Sequence, residues 1–532
     1  MTADEIRERI LDVVPRNGGH LASSLGAVEL SMALAEEFDP AADRIVWDVG
    51  HQAYAWKLLT DRGGRAFDTL RQTDGMAPFP TPAESAADAA VAGHAGVALS
   101  VAEGLAAARD AKGTCEHVVA VVGDAAVMNG TSMEALCNLT TAARKVIVVL
   151  NDNNTGNPPP SAEGGHFSAK AFFGQFGLSY IGPVNGHDIV ALRTALANAK
   201  EKCRSVIVHV LTQKGRGYAP AETDPAAYHS LPAADSVAQQ RTWSEAFGSA
   251  VADLARRDGR IVALTAGMKE GTGLGPFAEE FPGRFFDVGI SEGHMVAFAA
   301  GLAAGGMRPV VAVYSSFLQR AVDQVMHDVC LPKLPVVFCV DRAGVVGGDG
   351  ATHQGVFDIA MLRCLPGLTI EQPCDESELV RMLADAIVRD GPTVIRYPRG
   401  AVPAIRPSLP CGLAVPVVNP EAETQIWATG DMLEKAMAVS KRTGAGVVYA
   451  RSLKPFDETL LRMQRKDGRR IVSIENGSAA GGFGEAIGAD VRFGWPDAFV
   501  PHGSVGELER RYGLDAESIA AALKRHMMLK TS

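Results

Sequence analysis

Two apolar runs in the first third of the chain stop in oxygen-bearing side chains. HVVAVV ends at Gly123-Asp124; a helix-like segment follows, and KVIVVL then ends at Asn151-Asp152-Asn153. A carboxylate, an amide and a nearby loop carbonyl form a hard oxygen set that suits a Mg2+ shared with a phosphate. Buried strands that end this way place such residues at the carboxyl edge of a parallel sheet, where open α/β folds bind ligands. Asp, Asn and Gly also dominate ordinary turns, so this stretch alone leaves both readings open.

Six further clusters set chemically useful side chains in glycine-rich surroundings. GGHLASSLG holds His20, WDVGHQAY closes a strand at Gly50-His51, and AGHAGVALSVAEGLA sets His94 just ahead of a helix. DVGISEGHMVAFAAG puts Glu292 at a strand-to-helix turn, DRAGVVGGDGATHQGVFD carries Arg342, Asp349 and His353, and RYPRG carries Arg396 and Arg399. Each has an ordinary structural use, since a Glu at a helix start complements the dipole and a strand-end His often only hydrogen-bonds. Their recurrence at strand ends is what points to binding and proton transfer, because functional residues concentrate in loops at that edge.

The elements that carry these clusters alternate. The runs 44–49, 117–122, 145–150 and 205–211 are apolar throughout, as strands of a helix-covered parallel sheet are. A Pro- and Ala-rich stretch at 223–237 reads as a linker. A second alternating block has strands at 260–265, 285–290, 308–314, 334–341 and 392–397. Pro-rich sequence from 403 to 420 marks another boundary, after which TQIWATG, GAGVVYA and RRIVSIE supply the strands of a third block. The expectation is three consecutive α/β domains with mainly parallel sheets, 1–235, 236–405 and 406–532.

A chain of 532 residues has room for about three or four domains. Its 47% hydrophobic and 21% charged residues are a globular balance, and a net charge of -10 argues against nucleic acid as a partner. Eight scattered cysteines without a C-x-x-C pair suggest neither a zinc site nor a disulfide framework, but buried free thiols in a reducing cytoplasm. MTADEIRERILDVV is charged and helical rather than a signal peptide. The window 295–314 is interrupted by Gly305-Gly306, Arg308 and Pro309, and reads as a buried helix, a turn and a strand rather than a membrane span.

The motifs together resemble the 1-deoxy-D-xylulose-5-phosphate synthases, thiamine diphosphate enzymes of the transketolase superfamily. The likeness runs from GGHLASSLGAVEL to GGFGEAIG and PDAFVPHGS, nearly the whole chain, and WDVGHQAY, YSSFLQRAVDQVMHDV, DRAGVVGGDGATHQGVFD and RYPRG are its specific parts. It implies a transketolase-like fold, a homodimer, and small-molecule substrates, pyruvate and a phosphorylated aldehyde, in isoprenoid and thiamine biosynthesis. The first domain would bind the diphosphate and Mg2+, the second the aminopyrimidine, and the third would be a transketolase C-terminal domain.

By the same resemblance Asp124, Asn153 and the Thr155 carbonyl are the metal ligands, while Gly123, Ala125 and Lys214 line the diphosphate. Glu292 hydrogen-bonds the pyrimidine ring and Phe317 stacks on it. His20, His51 and His94 lie near the reacting carbons, with His229 at the rim. His353 and Asp349 lie at the acceptor end, where Tyr314, Arg342 and Arg399 bind the phosphorylated acceptor, a guanidinium fork suiting a dianion.

Three departures bear on the substrate. Ala125 stands where the family has glycine, Ala95-Gly96-Val97 replaces hydroxyl residues after His94, and the segment after Asn153 is shortened to 155–169. A ketol or acyl transferase with altered donor or acceptor therefore remains an alternative, as does a non-catalytic thiamine-binding regulator. His51, His353 and the arginines disfavour a 2-oxo acid dehydrogenase component.

Overall fold

A computed structural model describes residues 1–141, 144–153, 168–233, 240–403 and 409–528, and the chain divides into two compact units, Met1–Ser236 and Val237–Ser532. In the first unit β1 (Arg44–Trp47), β2 (Val118–Gly123), β3 (Ile147–Asp152), β4 (Ser179–Asn185) and β5 (Val206–Leu211) form an all-parallel sheet in the order β1-β2-β3-β5-β4. Residues 118–122 and 147–150 are buried, as their apolar runs require. Ile6, Ile10, Val13 and Val14 of helix Ala3–Asn17 pack into one core, and Leu30, Leu34, Leu192 and Leu196 into another against the sheet. Each such side chain contributes roughly 1.5–3 kcal/mol on burial.

The second unit holds two sheets. β6 (Ile261–Thr265), β7 (Phe285–Asp287), β8 (Arg308–Tyr314), β9 (Val337–Asp341), β10 (Thr369–Glu371), β11 (Thr393–Arg396) and β15 (Ser452–Lys454) belong to one, in the order β15-β10-β11-β9-β8-β6-β7. β12 (Ala414–Val418), β13 (Thr424–Thr429), β14 (Gly446–Ala450), β16 (Arg470–Ser478) and β17 (Val491–Trp495) make the other, ordered β12-β14-β13-β16-β17. Only β10·β15 and β12·β14 are antiparallel among the described pairs, so three mainly parallel α/β sheets are present as the sequence leads one to expect. β15 (Ser452–Lys454) follows a strand of the third sheet yet borders the second. Arg396 ties the same two sheets together: it is 1% exposed, paired with Asp358 at 2.9 and 3.0 Å, and donates to the Asn476 carbonyl at 2.9 Å.

Three expectations need correction. The stretch read as a linker is, over its described part, pinned to the first unit: Gly19 and Leu231 exchange backbone hydrogen bonds of 2.9 and 2.8 Å, and Ala22 N–H donates to the Tyr228 carbonyl. Proline and alanine there support a packed turn. The cysteines form no disulfide, but only Cys330, Cys339 and Cys374 are buried, and the other five are exposed. Strand 285–290 ends at Asp287, because Asp287 accepts from the amides of Gly267 and Gly289 and turns the chain. The window 295–314 is a helix (Glu292–Ala304), a turn and β8, and no described helix is long and apolar enough to cross a membrane.

One buried carboxyl predicts a pH effect. Glu475 on β16 is 2% exposed, and burial pushes its pKa up to about 7 even though the amides of Phe483 and Gly484 donate to it. The folded state thus holds this proton more tightly than the unfolded chain, whose value is 4.5. Its stabilising effect is complete below the unfolded pKa and is lost as pH rises towards 7, by about 3 kcal/mol. Unfolding of the second unit followed from pH 4.5 to 7 should show this slope, and Glu475→Gln should flatten it.

Candidate active site

Because the strands of the first sheet are parallel and adjacent, the carboxyl ends of β1, β2, β3 and β5 lie side by side at one edge. β1 leads into a tight turn in which Val49 has φ 61° and Gly50 has φ 83°. A β-branched residue in the left-handed region is strained, and such strain clusters at functional sites. Asp48, 1% exposed, fixes this turn to the His94 segment: it accepts from the amide of Gly96 at 2.8 and 3.0 Å, of Val97 at 3.1 Å and of Ala98 at 3.0 Å. These amides open helix Ala98–Lys112, whose positive end suits a carboxylate.

Three histidines meet beside the turn. The His20 and His229 rings are 5.5 Å apart, His51 and His229 5.5 Å, and His20 and His51 6.0 Å, with Phe79 5.5 Å from His20. Burial holds His51 well below its usual pKa, reinforced by His229, His20 and Lys214; burial, then Lys214, brings His229 down to about 4. Both rings are therefore neutral near pH 7, fit to exchange protons and hydrogen bonds with a ligand rather than to pair with an anion. His51 Nδ1 is buried without a hydrogen bond, the kind of orphaned group a bound ligand satisfies.

Asp124, 5% exposed, begins the short helix Asp124–Val127 straight after β2. Gly123 precedes it, and Ala125 sits within the helical turn, where a methyl needs no unusual backbone angle. Lys214, after β5, is half-buried; burial lowers its pKa and the Asp124 carboxylate opposes that shift. Asn153 follows β3 directly, and Thr155 falls outside the described residues. Beneath them Thr212 Oγ1 donates to Asn151 Oδ1 at 2.5 Å, and Asn151 Nδ2 to Gln52 Oε1 at 2.6 Å. A buried carboxylate beside a lysine, next to an orphaned imidazole nitrogen, fits a metal-bound diphosphate, so the residues present suit the implied cofactor end.

In the second unit Glu292, 3% exposed, opens helix Glu292–Ala304, and Arg320 Nη1 lies 3.2 Å from its Oε2. The ends of β8, β9 and β11 gather the remaining residues. Phe317 stacks on Tyr314 at 5.6 Å and meets His353 edge-on at 5.4 Å. The Arg342 guanidinium lies 3.6 Å over the Tyr314 ring and donates to the Gly271 carbonyl, with a backbone φ of 58°. A methyl on Gly271 would overlap the Tyr314 hydroxyl. Burial raises the Tyr314 pKa, with Arg342 pulling against it. Arg399 and Asp349 are 3.6 Å apart, and His353 Nδ1 is 2.8 Å from Thr352 Oγ1. Two arginines, a tyrosine and an imidazole thus share one edge, a set suited to a phosphorylated polar molecule.

Asp48, Gln52, Arg320 and Asp341 escaped the sequence reading. Asp341 is fully buried and accepts from Ser244 Oγ and the Arg342 amide at 2.6 Å, which aims Arg342. An acid at the end of an apolar strand was the available signal, just past β1 for Asp48 and at the last position of β9 for Asp341.

Three family models match the chain. One described as 1-deoxy-D-xylulose-5-phosphate synthase matches residues 1–160 and 161–212, one described as transketolase, pyrimidine binding domain matches 239–404, and one described as transketolase, C-terminal domain matches 414–519. The chain is 42% identical to 1-deoxy-D-xylulose-5-phosphate synthase 1 of Geobacter metallireducens, over 99% of this chain and 96% of that protein. It is 41% identical to the enzyme of that name from Syntrophotalea carbinolica, over 99% and 94%. The fold is similar to transketolase from Campylobacter jejuni (TM-score 0.50, 18% identity, 98% of each chain) and from Pichia stipitis (TM-score 0.50, 19% identity, 98% and 96%). With relatives at this identity over nearly their whole length and family models over most of the sequence, the chain belongs to the 1-deoxy-D-xylulose-5-phosphate synthase family.

Proposed function

We propose that the protein joins pyruvate to glyceraldehyde 3-phosphate with loss of CO2, giving 1-deoxy-D-xylulose 5-phosphate. The observation that carries this is the pairing of near-full-length synthase relatives with an intact arginine–tyrosine–histidine set for a phosphorylated acceptor. Thiamine diphosphate, when bound, supplies the electron sink for the carbon that decarboxylation leaves. In the first unit Asp124 and Asn153, with the Thr155 carbonyl that the family resemblance adds, would hold Mg2+, whose charge together with that of Lys214 would offset the diphosphate. Gly123 and Ala125 line the same end. In the second unit Glu292 hydrogen-bonds the pyrimidine and Phe317 stacks on it.

The neutral imidazole of His51, with His20 and His94 beside the reacting carbons, moves protons at the reacting oxygen atoms, and His229 closes the rim. Arg342 and Arg399 bind the acceptor phosphate as a forked pair, Tyr314 holds Arg342 flat, and His353 with Asp349 orients the acceptor's hydroxyl and aldehyde. The reading includes domains at 1–235, 236–405 and 406–532, a homodimer, as the family resemblance implies, and a cytoplasmic place.

The test is a single assay with thiamine diphosphate, Mg2+, pyruvate and glyceraldehyde 3-phosphate. CO2 and 1-deoxy-D-xylulose 5-phosphate should form in equal amounts. CO2 without that product would point to another acceptor, and bound cofactor without turnover to a regulator. Arg399→Ala should raise KM for the phosphorylated aldehyde roughly 10- to 100-fold, the size of one lost charge-assisted contact, with kcat little changed. An unchanged KM would remove Arg399 from the phosphate site.

A further inference from the structure

A triad of buried Arg7 and Glu29 with half-buried His187, outside the histidine cluster, grips the loop that carries Lys214. Arg7, on helix Ala3–Asn17, pairs with Glu29 of helix Val28–Glu37 at 2.7 and 2.8 Å, and its Nε donates to the Arg216 carbonyl at 2.9 Å. The second Glu29 oxygen faces His187 Nδ1 at 3.1 Å, and His187 Nε2 accepts the Gln213 amide at 3.0 Å. An Nε2 that accepts from a backbone N–H leaves the proton on Nδ1, where it points at Glu29, so a neutral imidazole satisfies both contacts. Between these two grips, the Gly215 amide donates to the Ala22 carbonyl at 2.8 Å. Contact is close enough that a methyl on Gly26 would strike the Gln213 carbonyl.

The grips fall immediately before and two residues after Lys214, and they leave its side chain to act on Asp124, His51 and His229. We infer that Arg7, Glu29 and His187 form a bracket whose work is to fix the Lys214 ammonium for an anionic ligand, with His187 a positioning residue for cofactor binding. Burial would raise the Glu29 pKa, but the His187 and Arg7 hydrogen bonds outweigh it and hold the carboxyl low, so the bracket stays charged. The inference rests on the proposed function only for the identity of the anion, the diphosphate of the cofactor.

The decisive experiment combines binding with hydrogen exchange on the full chain. His187→Ala should raise the Kd for thiamine diphosphate in Mg2+ roughly tenfold, as loss of an outer support does, with kcat at saturating cofactor within about twofold. His187→Gln, which returns an acceptor near the Nε2 position, should recover part of that loss. In a Lys214→Ala background His187→Ala should add nothing further, and exchange at the Gln213 and Gly215 amides should quicken in His187→Ala itself. Unchanged exchange, or additive effects of His187→Ala and Lys214→Ala on Kd, would overturn the bracket. An unaltered chain that binds no thiamine diphosphate would overturn the functional reading instead, and the exchange rates would still decide the bracket.

Discussion

Glu292→Gln is expected to lower kcat by roughly 10³-fold, the scale of a lost proton-transfer partner, while the chain stays folded. The side chain is 3% exposed at the first turn of a helix, with Arg320 as its charged neighbour. Glutamine keeps the shape and one acceptor but cannot carry the negative charge that favours a protonated ring nitrogen. Loss of the helix-terminus charge should cost only about 0.3–1 kcal/mol of stability. Steady-state rates with thermal unfolding of the same sample separate the two effects, and a rate near that of the unaltered chain would remove Glu292 from the chemistry.

The largest stability effect is expected at Asp48. Asp48→Ala strips the acceptor from the buried Gly96 and Ala98 amides and the half-buried Val97 amide, and should destabilise the first unit by about 3–5 kcal/mol, as breaking a buried charged contact does. Asp48→Asn should be milder, about 1–2 kcal/mol, because one oxygen can keep the Gly96, Val97 and Ala98 amides. Its amino group would face the Gly96 amide, which now donates to the second oxygen at 2.8 Å. Both variants should loosen the tie between His51 and His94 and lower kcat by more than their residual stability explains. Denaturant titration of the first unit reads the energies, and equal losses for Ala and Asn would show that the amides are not what Asp48 holds.

Much of this was legible in residue order because parallel strands buried on both faces leave continuous apolar runs, and their ends are then marked by glycine, acid and histidine. What stayed hidden follows from exposure and length. β4, SYIGPVN, is a half-exposed edge strand with a glycine and a proline and shows no apolar run, and β12, AVPVV, is hidden by Pro416 within a Pro-rich stretch that reads as a boundary. β10 and β15 have three residues each. The histidines announced themselves by type, whereas Asp48 and His187 matter through what distant segments bring to them. Sequence spacing carries no trace of the 48 positions between Asp48 and Gly96 or the 158 between His187 and Glu29.

The placement of β15 has a consequence for how the second unit comes apart. A chain ending before residue 406 would keep β10 but lose its outer neighbour, exposing unpaired backbone groups along an open sheet margin that invites intermolecular pairing. The margin closes only when sequence some eighty positions further on returns to it, so the second sheet cannot complete itself during synthesis before the third has begun to form. Heat should therefore melt the two as one calorimetric event rather than two, and a fragment ending near residue 405 should aggregate where the fragment 237–528 does not.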